Sequence, residues 1–230
     1  MPEIIDLSQE IYSGMPVYKD MPDVQISTHR THEEWAGLTN PPTRTPAALK
    51  LELGDHTGTH VDAISHMGRE FADLSIDQMP LSAFYTPAFC LDFSHKGLEG
   101  LIDTGELEAA CTREGLNPEK GDTILLYTDH YRRYFNTTDW ARGPGITAGA
   151  ARWLGELGIA AFGVETQSPG VQGLTNREVH QICGELGFTH YENLINLHLL
   201  TGRGRFRFIG FPLKIRGGTG SPVRAVAVFE

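Results

Sequence analysis

Residues 54–66 read GDHTGTHVDAISH, with His56 and His60 four apart, Asp62 two residues further on and His66 four beyond that. Imidazole and carboxylate at this density are the donors that zinc, manganese or iron accept. In a helical turn, residues four apart share a face, so both rings can meet one ion. Gly58 between them permits a tight backbone, and Asp62 suits a strand or loop step that turns its carboxylate to the same point. A polar loop is the competing reading. A lone histidine usually sits on the surface or in the core, but three with an aspartate within eleven residues favour a metal site.

The elements follow outward from this cluster. Upstream, Ala47–Leu53 alternates as a strand that runs into it, behind a loop-like segment Glu33–Pro46 (EEWAGLTNPPTRTP) with an exposed Trp35. Ile4–Leu7 predicts a short strand before a turn-rich stretch holding Gly14, Pro16 and Pro22. Downstream, Pro87–Phe93 and Thr123–Tyr127 predict buried strands, and Leu101–Gly115 a helix. Thr147–Leu157 predicts a helix ending at Gly158, ahead of a strand over Ile159–Val164. Thr175-Asn-Arg-Glu178 fits a capping box for a helix over Asn176–Leu186, with Gly187 as its C-cap. Phe206–Ile215 and Val223–Phe229 predict the last strands. Strands outnumber helices without strict alternation, which gives an α+β class (mixed-sheet α/β) in one domain over 1–230.

Composition narrows the function. With 29 acidic against 19 basic residues the formal net charge is −10, the wrong sign for a nucleic-acid partner. Cys90, Cys111 and Cys183 are odd in number and widely spaced, so they form neither a disulfide framework nor a CxxC zinc site. Cys90 and Cys183 suit small core positions, and reduced thiols suit a cytoplasmic address. The start lacks the basic and apolar runs of a signal peptide, and no stretch nears the roughly 18 apolar residues of a membrane span.

HTGTHVDAISH resembles the HxGTHxDxPxH signature of the cyclase-like metal hydrolases, which include bacterial kynurenine formamidase and isatin hydrolase. The opening DLSQEIYSGMPVY, the LLYTDHYRRY and GPGIT stretches, and the ending GFPLKIRGGTGSPVRAVA are similar to that family in the same order. The resemblance implies a swivelling β/β/α cyclase-like fold. It also implies that His180 and Glu192, twelve apart in HQICGELGFTHYE, complete the site. Taken alone, His180 borders the apolar stripe Val179, Ile182, Cys183, Leu186 and suits a half-buried structural histidine, and Glu192 suits the surface. Ile64, Met67 and GVETQSPG (163–170) depart from the family pattern, which concerns pocket walls rather than ligands.

The resemblance thus implies a ligand set of His56, His60, Asp62, His66, His180 and Glu192. That is too many for one four-coordinate zinc with an open position. Either two ions share carboxylates, with Asp62 and Glu192 as bridges, or one ion takes a subset and the rest move protons. One or two zinc or manganese ions are expected, with His66 and Glu192 in catalytic roles and His66 as general acid/base. The implied reaction is attack of activated water on an amide, lactam or ester carbonyl of a small cyclic or aromatic substrate. A lyase or cyclase using the same ion, and a non-catalytic metal-binding protein, are the rivals. Tyr18, Trp35 and Tyr131 are candidate pocket aromatics. His29, His32, His95, His130, His190 and His198 match no family ligand position and suit surface or core. A homodimer or homotetramer is expected, with Trp35 on its long loop as a contact.

Overall fold

The computed structural model describes residues 1–38, 40–41 and 44–230. Its strands, in chain order, are β1 (Glu3–Asp6), β2 (Gln25–Arg30), β3 (Ala48–Glu52), β4 (His60–Asp62), β5 (Tyr85–Asp92), β6 (Leu101–Ile102), β7 (Thr123–Tyr127), β8 (Gly145–Ile146), β9 (Ala161–Val164), β10 (Thr189–Glu192), β11 (Phe206–Ile209), β12 (Gly220–Pro222) and β13 (Val226–Phe229). The α-helices are α1 (His32–Ala36), α2 (Thr104–Glu114), α3 (His130–Tyr134), α4 (Ala148–Glu156) and α5 (Asn176–Leu186). One nine-stranded mixed sheet runs β1-β13-β11-β5-β7-β9-β10-β4-β12. This is the α+β architecture expected from the strand-rich pattern.

The centre of the sheet, β5-β7-β9-β10, is parallel, and β5, β7 and β9 bury apolar side chains on both faces. That composition is what a strand covered on two sides requires. On one face Phe89, Leu91, Ile124, Leu126 and Phe162 pack beneath Leu107 of α2, Leu154 of α4 and Val179 and Ile182 of α5. On the other, Cys90, Leu125, Tyr191, Phe208 and Ala227 form a second core. Each fully buried large apolar side chain contributes roughly 1.5–3 kcal/mol, so the two cores fix the sheet from both sides. All three cysteines are free and buried.

Several boundaries differ from the pattern reading, each for a local reason. The helix expected over Leu101–Gly115 starts only at Thr104, because Leu101 and Ile102 pair with β8 and Asp103 forms the capping box with Glu106. Thr175 is not a capping box. Its hydroxyl donates to the Ile146 carbonyl (2.9 Å) and accepts from Val171 N (2.9 Å), tying the 171–175 turn to β8 instead. Gly187 does close α5, in the left-handed conformation at φ +71°. The strand expected over Phe206–Ile215 ends at Ile209, and the one expected over Val223–Phe229 begins at Val226.

The strand leading to the histidine cluster, β3, does not join the main sheet. It pairs with β2 in a separate two-stranded antiparallel ribbon. The connection of this ribbon holds the Glu33–Pro46 segment. Its first turn is helical, not loop, because Thr31 and Glu34 form a capping box. Trp35 is half-buried, with the Arg30 guanidinium 4.6 Å above its ring. The expected loop character at 39, 42 and 43 lies outside the described residues.

Candidate metal centre

The cluster is built on strand alternation rather than on a helical turn. His60 and Asp62 are two apart on β4, so they face the same side, while Val61 between them enters the second core. β10 pairs beside it with Tyr191 opposite Val61 and Glu192 opposite His60. Tyr191 points into the second core, so His190 and Glu192 join His60 and Asp62 on the helix-covered face. His56 reaches the same point from the turn before β4, where Gly58 takes φ +60°. His66 follows on a short 3-10 turn, and His180 descends from α5.

The other five ligand candidates gather around Asp62, which is 1% exposed. Oδ1 lies 2.8 Å from His56 Nδ1 and 3.3 Å from His60 Nε2. Oδ2 lies 3.6 Å from His180 Nε2 and 3.8 Å from His66 Nε2. Glu192 Oε2 stands 3.5 Å from His60 Nε2. A seventh residue is also present: His190 Nε2 is 3.1 Å from Asp62 Oδ2 and 3.3 Å from Glu192 Oε1. His190 is fully buried, as a core histidine should be, but it borders the carboxylates.

The protonation pattern tests whether these groups suit a cation. His60 Nδ1 lies 2.9 Å from the Gly58 carbonyl and His180 Nδ1 2.8 Å from the Asn176 carbonyl. A carbonyl oxygen only accepts, so both Nδ1 atoms carry the hydrogen and donate. Thr219 Oγ1 donates to Asp55 Oδ2 at 2.8 Å, so it accepts from His56 Nε2 at 3.0 Å. In each neutral ring the remaining nitrogen, a lone pair, is the one that faces Asp62. Lone pair against carboxylate is unfavourable unless a proton or a cation lies between them. Imidazoles fixed through their outer nitrogen are also the usual support of metal ligands. The residues therefore fit a divalent ion.

The electrostatics agree. Burial opposes ionisation of Asp62, but the imidazoles around it, His190, His180 and His56, overcome burial and hold its carboxyl well below the usual range. Burial pushes Glu192 well up, and the charge of Asp62 adds to it. Burial also lowers His56, but the hydrogen bond and charge of Asp62 outweigh it and leave this imidazole raised. His66 is lowered, by burial first and by His56, His180 and His60 nearby, with Asp62 opposing.

A cavity of about 220 Å³ opens above the cluster. Its walls include His56, His60, Asp62, His66, His180 and Glu192, together with Tyr18, Met21, Gln167, Asn176 and Asn193. Of the three aromatics proposed from sequence, Tyr18 lines it. Tyr131 packs instead on Phe135 and Trp140, and Trp35 is not among the lining residues. Asp129 pairs with Arg133, and His130 stacks on Trp140, both off the cavity. Gln167 comes from the GVETQSPG stretch, and Asn193 is held by its amide to the Gly58 carbonyl. Neither is predictable from spacing, because loop returns bring them in.

A mixed sheet carrying a buried histidine–carboxylate cluster beneath a small cavity defines a metal-dependent hydrolase class, and the comparisons agree. A family model described as "Putative cyclase" matches residues 5–171. Kynurenine formamidase of Bacillus cereus is 31% identical over 229 residues, 97% of this chain and 96% of that protein. Isatin hydrolase of Roseibium aggregatum is 27% identical over 193 residues, covering 77% and 73%. The structure of isatin hydrolase A from Ralstonia solanacearum superposes with a TM-score of 0.85 at 26% identity, covering 100% of this chain and 92% of that one. This chain belongs to the cyclase family of metal-dependent hydrolases.

Proposed function

We propose that this chain hydrolyses the C–N bond of a small aromatic or cyclic amide, of the N-formyl arylamine or lactam kind, as a single domain over residues 1–230. The observation that carries the reading is the convergence of ligand nitrogens on Asp62 at the floor of a small cavity. The similar proteins named above support the substrate class, one being a kynurenine formamidase and the others isatin hydrolases. Zinc or manganese, one or two ions per chain, suits the mixed imidazole and carboxylate donors. When bound, the ion supplies water activation near neutral pH and polarisation of the carbonyl.

The remaining work falls to the side chains. His56, His60, Asp62, His180 and Glu192 would hold the ion or ions, with Asp62 and Glu192 as the candidates for sharing between two. His66 has its side chain 30% exposed on the cavity wall, with no hydrogen bond fixing either nitrogen, and takes the proton from water and delivers it to the leaving nitrogen. Its depressed basicity keeps it neutral near pH 7, the form a general base needs. Tyr18 and Met21 offer an apolar wall for a planar ring, and Gln167 and Asn193 offer amides to its polar groups. A cytoplasmic address and a homodimer or homotetramer complete the proposal. No helix among the described residues is long and apolar enough to cross a membrane.

The test is turnover of N-formyl aromatics, lactams and lactones by protein whose metal has been identified by elemental analysis. In heavy-oxygen water, hydrolysis places the label in the product acid. A product without label would assign the lyase or cyclase chemistry instead, and no turnover with a bound ion would favour a binding protein.

A further inference from the structure

His190 is buried to 0% exposure and is absent from the cavity walls, behind the two carboxylates. Its ring packs against Phe162 (5.5 Å between centroids) and edge-on against His180 (4.8 Å). Neither ring nitrogen has a hydrogen-bond partner. Nε2 is close enough to Asp62 Oδ2, at 3.1 Å, but the N–H direction misses the oxygen. A hydrogen on Nδ1 leaves an unpaired donor in the core and sets the Nε2 lone pair against two carboxylates. A hydrogen on Nε2 leaves the Nδ1 lone pair unpaired. Neither neutral form satisfies the ring, and an unmet buried polar group costs about 1–3 kcal/mol. A cation on the Nε2 side satisfies it.

The spacing of donors agrees. Ligand atoms of Asp62, His180, His190 and Glu192 all lie within 4.8 Å of one another. Three of the separations are 3.1, 3.3 and 3.6 Å. A tetrahedral ion with bonds of about 2.0–2.1 Å sets its donors roughly 3.3–3.4 Å apart. We propose that His190 is a fourth protein ligand which, with Asp62, His180 and Glu192, forms a metal position closed to water. The neighbouring position, with His56, His60 and the other oxygen of Asp62 as its three protein donors and His66 unligated beside it, keeps its open side towards the cavity. Sites with four protein ligands hold structural ions, whereas an open position is what catalysis needs. One ion is thus a fixed part of the floor and the other is the exchangeable, working ion. This division rests on the metal-site reading above.

Cobalt titration of the chelated full-length protein tests it, read by absorption and by elemental analysis. Wild-type protein should take up two ions, one with the stronger absorption of four-coordinate cobalt. His190→Val should weaken that ion by at least about tenfold, as loss of a supporting group does, and abolish its spectrum. The metal-free variant should melt no lower than metal-free wild type. His190→Asn, whose side chain keeps a polar donor beside Asp62 but no imidazole nitrogen for an ion, should show the same loss. Unchanged affinity and spectrum in His190→Val would overturn the proposal. Full rescue by His190→Asn would make His190 a positioning residue only. A crystal structure of the cobalt-loaded wild type decides the matter without any variant. Nε2 of His190 should lie about 2.1 Å from an ion, and an ion ligated by the other residues without it would refute the assignment. If wild type binds no ion, or loses no ion in His60→Ala, the metal reading itself has failed.

Discussion

His66 differs from His56, His60 and His180 in having no partner that fixes its tautomer, and it stands on the cavity wall where a proton must move. His66→Ala should therefore keep both ions and lose about 10²- to 10⁴-fold in turnover. Elemental analysis beside a rate assay checks this, and a parallel fall in metal content would make His66 a ligand. At this scale the sequence carried much of the information. The cluster from His56 to His66 is legible because four groups of one chemistry lie within eleven residues. His180 and Glu192 were reached only through the resemblance, since one sits on a helix and the other on a separate strand. His190 escaped because its significance is a matter of parity: it shares a strand face with Glu192 two residues on. That parity is invisible until Thr189–Glu192 is known to be a strand, and four residues ending in a charge do not announce one.

Among the elements, the long apolar strands β5 and β7 and the helices α4 and α5 follow their periodicity. The short strands β4, β10 and β12 do not: in β4 and β10 polar residues face the site and mask the alternation, and β12 is only three residues long. β12 shows what the chain must give up for that placement. A methyl group on Gly220 would lie 2.7 Å from His56 Cε1 and 3.0 Å from the Val61 carbonyl. Gly220→Ala should displace His56, destabilise the fold by about 1–3 kcal/mol and lower metal affinity roughly 10- to 100-fold. Melting of the chelated protein and a metal titration measure the two effects, and unchanged affinity would show that His56 is not a ligand.

Glu165, just past β9, ties that strand to the turn after β7. Glu165 Oε2 accepts from Thr128 N (2.7 Å), Thr128 Oγ1 (2.9 Å) and His130 N (3.2 Å), while Oε1 has no partner. Burial raises this carboxyl from 4.5 to about 7. The folded state thus holds a proton that the unfolded chain has released, and stability falls as pH rises from about 4.5 to about 7. The loss amounts to roughly 3 kcal/mol at about 1.4 kcal/mol per unit. Glu165→Gln keeps the accepting oxygen and cannot ionise. Denaturant unfolding of the chelated protein should show a shallower decline between about pH 4.5 and 7 in the variant, on the order of that loss. Parallel curves would refute a raised Glu165.

At the scale of the whole molecule, the β2–β3 ribbon stands apart from the nine-stranded sheet. In its antiparallel register Ile26 faces Leu51 and Thr28 faces Leu49, so one side of the ribbon is largely apolar. Leu49 and Leu51 are 60% and 59% exposed, and Leu38 beside α1 is 70% exposed. An isolated two-stranded ribbon is marginal in water, and one that leaves its apolar side uncovered lacks the packing that would hold it. Another copy of the chain lying across that side would supply it. The wild-type protein should therefore scatter light as a dimer or tetramer at low micromolar concentration. Leu49→Asp with Leu51→Asp should bring the mass down towards the 25.4 kDa of one chain. These exposed side chains are not among the cavity-lining residues, so metal content should stay intact while the ribbon loses its cover. A wild-type protein that is monomeric and fully active would end the idea, and an oligomer indifferent to both substitutions would move the interface elsewhere.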